Sequence, residues 1–219
     1  MKRITALILA ALLALSAFGA LAASQSIPID KKNFPDPNFR NLVKGVDYDL
    51  NEDGKLSLTE IKKINGVEVT DCAISDLTGI EYFTNLTALT AGVNKLTKLD
   101  VSKNTKLQTL SCGYNKLTKL DVSRNKKLKY FFCANNNLKT LTLGTQKYLA
   151  TLNCSENKRL ARLDIGKCKV LLSIVKKGSM TKKDGYVEWH TGKDPEYNYL
   201  RIPAACTLYN GKKVLYKDK

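Results

Sequence analysis

The sequence predicts an α/β solenoid with a parallel β-sheet on its concave face, closed at its two ends by different caps. Three observations support this fold class. A 21-residue period runs through residues 64–176, a predicted helical segment with an acidic loop precedes it at residues 23–63, and a β-rich segment follows at residues 177–219. We expect one repeat domain with an N-terminal and a C-terminal cap.

Residues 1–22 are predicted to be an export signal rather than part of the fold. Lys2 and Arg3 precede an apolar stretch at residues 4–18, and small residues at 19–22 offer a cleavage site. An uncleaved membrane anchor is the alternative interpretation. Without a further apolar run of spanning length, we expect no transmembrane segment and a secreted protein, extracellular, at the cell surface or in the periplasm.

Four copies of one repeat begin at Leu86, Leu107, Leu128 and Leu149. The copies follow L-x-x-L-x-C-x-x-N-x-L, the pattern of a leucine-rich repeat, with Ala91 at the cysteine position of the first copy. The fourth copy has one extra residue before Leu160. A single copy cannot bury its apolar face, so the copies should stack around a shared core. Residues 64–85 form a degenerate copy ahead of these four, and residues 171–175 are predicted to add one strand. The polar return limb should be extended or 3₁₀-like.

Asparagines and cysteines recur at fixed places in these copies. Asparagines that should bond the turns of neighbouring copies follow the predicted strands at Asn94, Asn115, Asn136 and Asn157. Cysteines occupy an inward strand position at Cys112, Cys133 and Cys154. Stacked strands lie about 4.8 Å apart, whereas disulfide Cβ atoms lie about 3.8 Å apart. We therefore expect free thiols that pack in the core rather than disulfides or redox groups.

The N-terminal cap should contain two short helices. The first starts at Asp36-Pro37, a favourable cap and first residue. Its apolar stripe is Phe39, Leu42, Val43 and Val46. The second starts with a capping box at residues 57–60, and its apolar face is Leu58, Ile61 and Ile64.

The loop between these helices, residues 49–60, reads DLNEDGKLSLTE and matches the calcium-loop pattern D-x-[DN]-x-[DN]-G-x₅-E. Oxygen ligands in this spacing suit calcium, and Gly54 permits the sharp turn. The predicted ligands are Asp49, Asn51, Asp53, the Lys55 carbonyl, Ser57 and Glu60. A metal-free acidic turn is the alternative. Because sensors pair two such loops, a single loop indicates a structural ion.

Basic residues also recur one copy apart in a chain of net charge +16. The predicted stripes pair Lys98 with Lys119, Lys103 with Arg124, and Lys106 with Lys127. Like charges about 5 Å apart favour a bound anion, such as an anionic envelope or matrix polymer. A solvated, solubilising face is the alternative. No nucleic-acid motif accompanies the charge, so nucleic acid ranks last among the partners.

Aromatic residues interrupt the otherwise small, outward-facing positions of the predicted concave sheet. Tyr130 and Phe132 lie on one strand, and Tyr114 lies just past the preceding strand. Exposed aromatic patches usually mark contacts, so these three residues are the predicted site for a protein or glycan ligand. Packing between strands, or cover by the C-terminal segment, is the alternative.

The C-terminal segment should be β-rich. Strands are predicted at residues 186–190 and 197–202, and a hairpin at residues 208–215 turns at Asn210-Gly211. The single tryptophan and the single histidine, Trp189 and His190, are interpreted as strand residues rather than catalytic groups.

Several of these motifs together resemble secreted bacterial leucine-rich-repeat proteins of the internalin type. They are FPDPNFRNLV, the acidic loop, GIEYFTNLTAL and the KLDVSKN repeats, within residues 33–175. The resemblance implies a solenoid with a helical or EF-hand cap, and a surface or secreted binding or adhesion module. The chain departs from the pattern at Thr142, Gln146 and Arg159, and it shows no wall-sorting motif.

The sequence favours a binding module over an enzyme. A chain with one histidine and packed cysteines cannot assemble a nucleophilic triad. The first hypothesis is therefore a non-enzymatic binding or adhesion protein with structural calcium. The alternatives are a structural envelope protein that binds anionic polymers by charge, and a hydrolase with an unrecognised C-terminal site.

Overall fold

The computed structural model describes residues 26–191 and 198–217, so the predicted export segment lies outside the described residues. Ahead of the repeats the chain forms strand β1 (Ile27–Pro28), helix α1 (Pro37–Val43), strand β2 (Lys55–Leu56) and helix α2 (Leu58–Lys63). β1 and β2 pair antiparallel, so the acidic loop is held against the start of the described chain.

The two helices bury fewer of the predicted apolar residues than expected. Helix α1 ends at Val43, so Val46 lies beyond it and is 60% exposed. The assignment of Val46 to the apolar stripe was wrong. Leu58 is also exposed, because it begins helix α2 on the solvent side while Leu56 in β2 fills the core.

The repeats build one parallel sheet on the concave face. Its strands in these copies are β3 (Gly66–Glu68), β4 (Ala88–Thr90), β5 (Thr109–Ser111), β7 (Tyr130–Phe132) and β9 (Thr151–Asn153). Each strand pairs in register with the next copy, as Leu110 does with Phe131. The central residue of each strand is buried, which confirms the predicted solenoid and its concave parallel sheet.

The return limb is extended, as predicted. Its strands are β6 (Lys119–Asp121), β8 (Thr140–Thr142) and β10 (Arg162–Asp164), and β6 pairs parallel with β8. Residues 80–82 form a 3₁₀ helix in the degenerate copy. The described backbone of residues 86–168 contains no helix, so the repeats themselves form a β-solenoid.

Residues 169–177 form helix α3 (Lys169–Lys177), and the prediction of a strand at residues 171–175 was wrong. The buried side chains Leu171 and Ile174 are three residues apart, a spacing that places them on one side of a helix. A short apolar run fits a strand and a helix equally well, which explains the error.

The chain then returns to the solenoid. β11 (Ser179–Lys183) and β12 (Tyr186–His190) form an antiparallel hairpin, β12 pairs antiparallel with β13 (Tyr199–Pro203), and β13 pairs parallel with β9. β14 (Thr207–Asn210) pairs parallel with β10 on the convex face and antiparallel with β15 (Lys213–Tyr216). Residues 199–210 thus give one strand to each face and form a shortened last turn.

The predicted asparagine ladder is confirmed. In the third copy, the Asn136 side-chain amide donates to the Cys112 and Cys133 carbonyls at 3.0 and 3.2 Å. Its oxygen accepts from the Leu117 N–H at 2.9 Å. Asn115 and Asn157 repeat this arrangement with their own neighbours. Each side chain therefore joins consecutive turns of the solenoid.

A second amide column, which the sequence analysis did not identify, lies on the opposite side of the core. Asn125 donates to the Val101 and Asn104 carbonyls, both at 2.9 Å. Gln146 takes the equivalent place in the next copy, and Cys168 follows it through a β-bridge. Asn104 and Asn125 are 21 residues apart, so the repeat period was the signal that could have revealed the column.

All six cysteines are free, as predicted. Cys112, Cys133 and Cys154 are fully buried on the concave side of the core. Burial raises the pKa of Cys112 to about 12. These thiols therefore pack as small apolar groups rather than as nucleophiles. No helix in the described part of the chain is long and apolar enough to cross a membrane.

Candidate functional site

The outward residues of the repeat strands β4, β5 and β9 are small, whereas those of β7 are aromatic. Tyr130 and Phe132 are half-buried there, on either side of the buried Phe131. The neighbouring strand β5 offers only Thr109 and Ser111 at the matching positions. Two aromatic rings therefore interrupt a sheet surface of small side chains.

Tyr114 lies apart from these two residues in the repeat geometry. It sits in the turn after β5, has a left-handed φ of 55°, and is 63% exposed. Its counterparts in the flanking copies are Val93 and Asn135, which have φ values of 53° and 54°. The structure thus places Tyr114 in a row of turn residues rather than in the strand row of Tyr130 and Phe132.

The C-terminal segment reaches the concave face next to the aromatic pair. The Asn198 N–H donates to the Thr151 hydroxyl at 3.2 Å, and Thr151 is fully buried. Thr151 lies opposite Tyr130 in the register of β7 and β9. The aromatic pair is therefore bordered on one side by the cap.

Beyond that border lies a polar and aromatic cluster that the sequence analysis missed. Arg201 on β13 pairs with Glu188 on β12, directly opposite in the strand register. The Arg201 guanidinium lies 4.6 Å from the ring centroid of Tyr186 and 5.3 Å from that of Tyr199. Glu188 is buried and already paired, and the cluster braces the hairpin against the solenoid.

His190 and Trp189 occupy ordinary strand positions. Trp189 is buried, and its ring meets Tyr216 edge-on at 5.2 Å between centroids. His190 is half-buried at the end of β12 and lies opposite Tyr199. This packing accounts for both residues structurally.

The acidic loop is folded tightly on itself. Asp49 is buried, and its two carboxylate oxygens accept from the Asp53 and Gly54 N–H groups at 3.2 and 2.9 Å. Asn51 also accepts from the Asp53 N–H, and Asp53 accepts from the Lys55 N–H. These bonds bring the first three predicted ligands to one end of the loop.

Glu60 closes the other end of the loop. One of its oxygens accepts from the Leu50 N–H at 2.9 Å, and the other accepts from the Ser57 N–H and hydroxyl at 2.8 and 2.7 Å. The Ser57 hydroxyl accepts in turn from the Glu60 N–H, which completes the predicted capping box.

The donor set fits calcium in chemistry but is not drawn together around one point. Within residues 26–191 and 198–217, no group of three or more His, Cys, Asp or Glu side chains is placed to hold a metal ion. Three of the six predicted donors, Asn51, Lys55 and Ser57, are outside those residue types. Two buried carboxylates, Asp49 and Glu60, lie in this small loop, and hard oxygen donors of this kind suit calcium.

The convex face brings together three of the predicted basic residues. Lys98, Lys119 and Arg124 line one groove of about 560 Å³. Asp100 and Asp121 line the same groove, and Asp100 accepts from the Ser102 N–H at 2.8 Å. This bond and the positive charge of nearby Lys103 hold the pKa of Asp100 below its usual value. The groove is therefore of mixed charge.

The remaining basic residues lie elsewhere. Lys103 lines an adjoining groove together with Asp76 and Glu81. Lys106 donates to the Asn85 side chain of the preceding copy, at the turn that leads into the concave strands, and Lys127 is exposed at the same repeat position. The predicted stripes thus follow the solenoid axis on more than one surface.

No family model matches the chain. Internalin J of Listeria monocytogenes serotype 4b (strain F2365) is 34% identical over 72 residues, which are 33% of this chain and 8% of that protein. The matched part is thus a small fraction of this relative's length.

Two solved structures from Listeria monocytogenes are also similar. An internalin, InlF, from strain 4b F2365 aligns with 65% of this chain and 53% of its own, at a TM-score of 0.47 and 22% identity. The functional domain of InlJ, which includes a cysteine ladder, aligns with 64% of this chain and 38% of its own, at a TM-score of 0.39 and 31% identity. The chain therefore resembles internalins over part of its length.

Proposed function

We propose that this protein is a non-enzymatic, secreted or cell-surface binding module whose concave sheet recognises a protein or glycan ligand. The observation that carries the proposal is the position of Tyr130 and Phe132 on a sheet surface of small polar residues. Aromatic rings give rigid contact area with little loss of conformational entropy, which suits a binding hot spot. The partial likeness to internalin J is consistent with such a module.

Calcium is part of this proposal as a structural ion. Asp49 and Glu60 would bind it with Asn51, Asp53, the Lys55 carbonyl and Ser57, and the ion would supply positive charge to two buried carboxylates. Its role would be to stabilise the segment that covers the N-terminal end of the core. That segment reaches the core through Phe34 and Phe39, which meet Phe83 of the degenerate copy at 6.4 and 6.5 Å between ring centroids.

A second candidate function is binding of an anionic envelope or matrix polymer. The groove that joins Lys98, Lys119 and Arg124 favours it. Asp100 and Asp121 in the same groove weaken the attraction, so we rank it below recognition by the concave face. Binding through charge alone would disappear as the salt concentration rises, because salt screens exposed charges.

The experiment that tests the main proposal is affinity capture from bacterial envelope and host-matrix extracts. Wild-type protein is compared with Tyr130→Ser/Phe132→Ser, in calcium and in chelator. We expect ligands that wild type captures and the double variant does not. Capture that is equal for both proteins, with both folded, would contradict the proposal.

Two control variants complete the design. Tyr148→Ser/Met180→Ser removes two side chains that are 56% and 55% exposed, both outside the aromatic pair on β7. It should capture the same ligands as wild type. Lys98→Glu/Lys119→Glu tests whether the convex groove binds the captured material, because it reverses two of the charges that line that groove. If only this variant loses capture, and loses it from polyanionic material, the polymer-binding candidate replaces the concave site.

A further inference from the structure

The fourth repeat departs from the others at a turn that borders a polar depression. Its extra residue is Arg159, which follows Lys158 directly. In the third repeat the same turn carries three consecutive asparagines, residues 135–137. Together these two turns line a depression of about 390 Å³, whose lining residues are Asn115, Asn135, Asn136, Asn137, Glu156, Lys158 and Arg159.

The lining residues divide into two groups. Asn115 and Asn136 belong to the ladder, and their side-chain amides are engaged with the backbone. The side chains of the other five lining residues are not engaged in this way. In the described part of the chain, no hydrogen bond or ion pair engages the side chains of Asn135, Asn137, Glu156, Lys158 or Arg159. A carboxylate, two amides and two cations therefore share one depression without satisfying one another.

The backbone holds two of these groups in place. Asn135 and Glu156 have left-handed φ values of 54° and 52°, and the Asn135 N–H donates to the Ser155 carbonyl at 3.1 Å. The Glu156 carboxylate lies against the hairpin turn at Gly185, where an added Cβ would come within 2.7 Å of it. The depression is thus lined by the turns that carry the ladder, and one of its lining residues, Glu156, also lies against the cap hairpin.

We propose that this depression binds a carboxylated sugar unit of a glycan. The two amides and Glu156 can bond ring hydroxyls in both directions, since amides donate and accept while a carboxylate accepts. Lys158 and Arg159 supply charge-assisted bonds to the sugar carboxylate. The volume falls near the lower end of the roughly 300–1,000 Å³ of ligand sites, which suits one small polar unit.

Tyr114 extends the same surface. It lies one repeat before Asn135 in the row of left-handed turn residues, and 63% of it is exposed. Sugar rings have an apolar face that packs on aromatic rings. A glycan bound at the depression can therefore continue towards Tyr114, away from β7. This inference goes beyond the proposed concave site, because it adds a second site and names its ligand class.

The test is titration of the ¹⁵N-labelled protein with glucuronate, followed through its backbone and side-chain amide signals. Glucose measures binding through the sugar hydroxyls alone, and acetate measures binding through the negative charge alone. We expect glucuronate to bind at least about tenfold more tightly than either, since a charge-assisted pair contributes enough for that ratio. The signals that shift should be those of Asn135 and Asn137.

Variants distinguish binding at this depression from a general attraction of anions to the positively charged protein. Lys158→Gln/Arg159→Gln should reduce glucuronate binding to the level of glucose, and Asn135→Gly/Asn137→Ser should weaken both sugars while keeping a residue tolerant of positive φ. The matched control Lys31→Gln/Lys32→Gln removes two adjacent, exposed cations from the N-terminal segment and should bind glucuronate as wild type does. Melting curves show that each variant is folded.

Two results would overturn the inference. One is glucuronate binding that the control reduces as much as Lys158→Gln/Arg159→Gln, and the other is no glucuronate binding by wild type. If either occurs while capture still depends on Tyr130 and Phe132, the carboxylated-sugar site is wrong and the proposed function stands. If glucuronate binds as expected but capture does not depend on Tyr130 and Phe132, the concave site is wrong instead.

Discussion

The carboxylate of Asp36 joins helix α1 to the degenerate copy that precedes the four repeats, because one of its oxygens accepts from both the N–H and the hydroxyl of Ser75 at 2.8 Å. Its other oxygen accepts from the Asn38 and Phe39 N–H groups at the start of α1. One buried side chain therefore caps the helix and ties the N-terminal segment to the solenoid.

We predict that Asp36→Ala lowers the free energy of unfolding by about 2 kcal/mol, since it removes a helix cap and a link to Ser75. Urea unfolding followed by circular dichroism measures this difference. Asp47→Ala, an exposed acidic change in the same segment, should stay within about 0.5 kcal/mol of wild type. Equal effects of the two substitutions would show that the Asp36 contacts contribute nothing specific.

Acid should weaken the hydrogen bonds that the Asp36 carboxylate accepts. Burial raises the pKa of Asp36, but the hydrogen bonds from Ser75, Phe39 and Asn38 outweigh it and leave the pKa below 3.8. A lowered folded-state pKa gives stability that is present above pH 3.8 and is lost as pH falls through the folded-state value. The stability difference between wild type and Asp36→Asn should therefore shrink in that acid range. A constant difference from neutral pH into that range would contradict the assignment.

Calcium should raise the melting temperature of the protein. A ligand that binds only the folded state adds roughly 2.7 kcal/mol at a hundredfold excess over its Kd. Asp49→Ala/Glu60→Ala should abolish the increase, whereas the exposed pair Asp47→Ala/Glu52→Ala should retain it. Scanning calorimetry in calcium and in chelator measures the shift. Identical melting of the wild type in the two solutions would exclude a calcium role for the loop.

The ladder asparagines should contribute far more to the stability of the fold than the residues beside them. Asn136→Ala leaves the buried Leu117 N–H without a partner and takes one of two side-chain donors from each of the Cys112 and Cys133 carbonyls, which should cost about 2 kcal/mol of stability. Asn137→Ala changes an exposed neighbour and should cost less than about 0.5 kcal/mol. Chemical denaturation of both variants gives the comparison, and comparable losses would argue against the ladder as a stabilising device.

The turn residue Val93 is strained, because a β-branched side chain rarely adopts its φ of 53°. Val93→Asn should therefore stabilise the protein by about 0.5–1 kcal/mol, since asparagine tolerates this conformation. The reciprocal change Asn135→Val, at the same repeat position with φ 54°, should destabilise it by a similar amount. Thermal melts of the two variants should shift in opposite directions; shifts of the same sign would refute the strain argument.

The repeats were predictable because their signals are local and periodic. A leucine every few residues and an asparagine every 21 residues determine which side chains point inward, whatever the rest of the chain does. The last turn was not predictable in this way. Residues 199–210 lack the leucine and asparagine pattern, and residues 169–190 separate them from the copies that they continue.

The candidate sites were predictable only in part. Tyr130 and Phe132 could be identified from strand alternation alone. The Arg201–Glu188 pair could not, because it depends on the register of β12 with β13. The depression at residues 135–159 depends on how two adjacent turns meet, although the extra residue Arg159 marked the place.

Recognition through the concave sheet can be measured by calorimetric titration of a captured ligand against wild type and Tyr130→Ser/Phe132→Ser. We expect the double substitution to weaken binding by at least about tenfold, as loss of an aromatic hot spot does. We also expect that raising the salt concentration changes wild-type affinity little. Unchanged affinity in the folded double variant, with affinity that salt abolishes, would contradict the concave site and favour binding by charge.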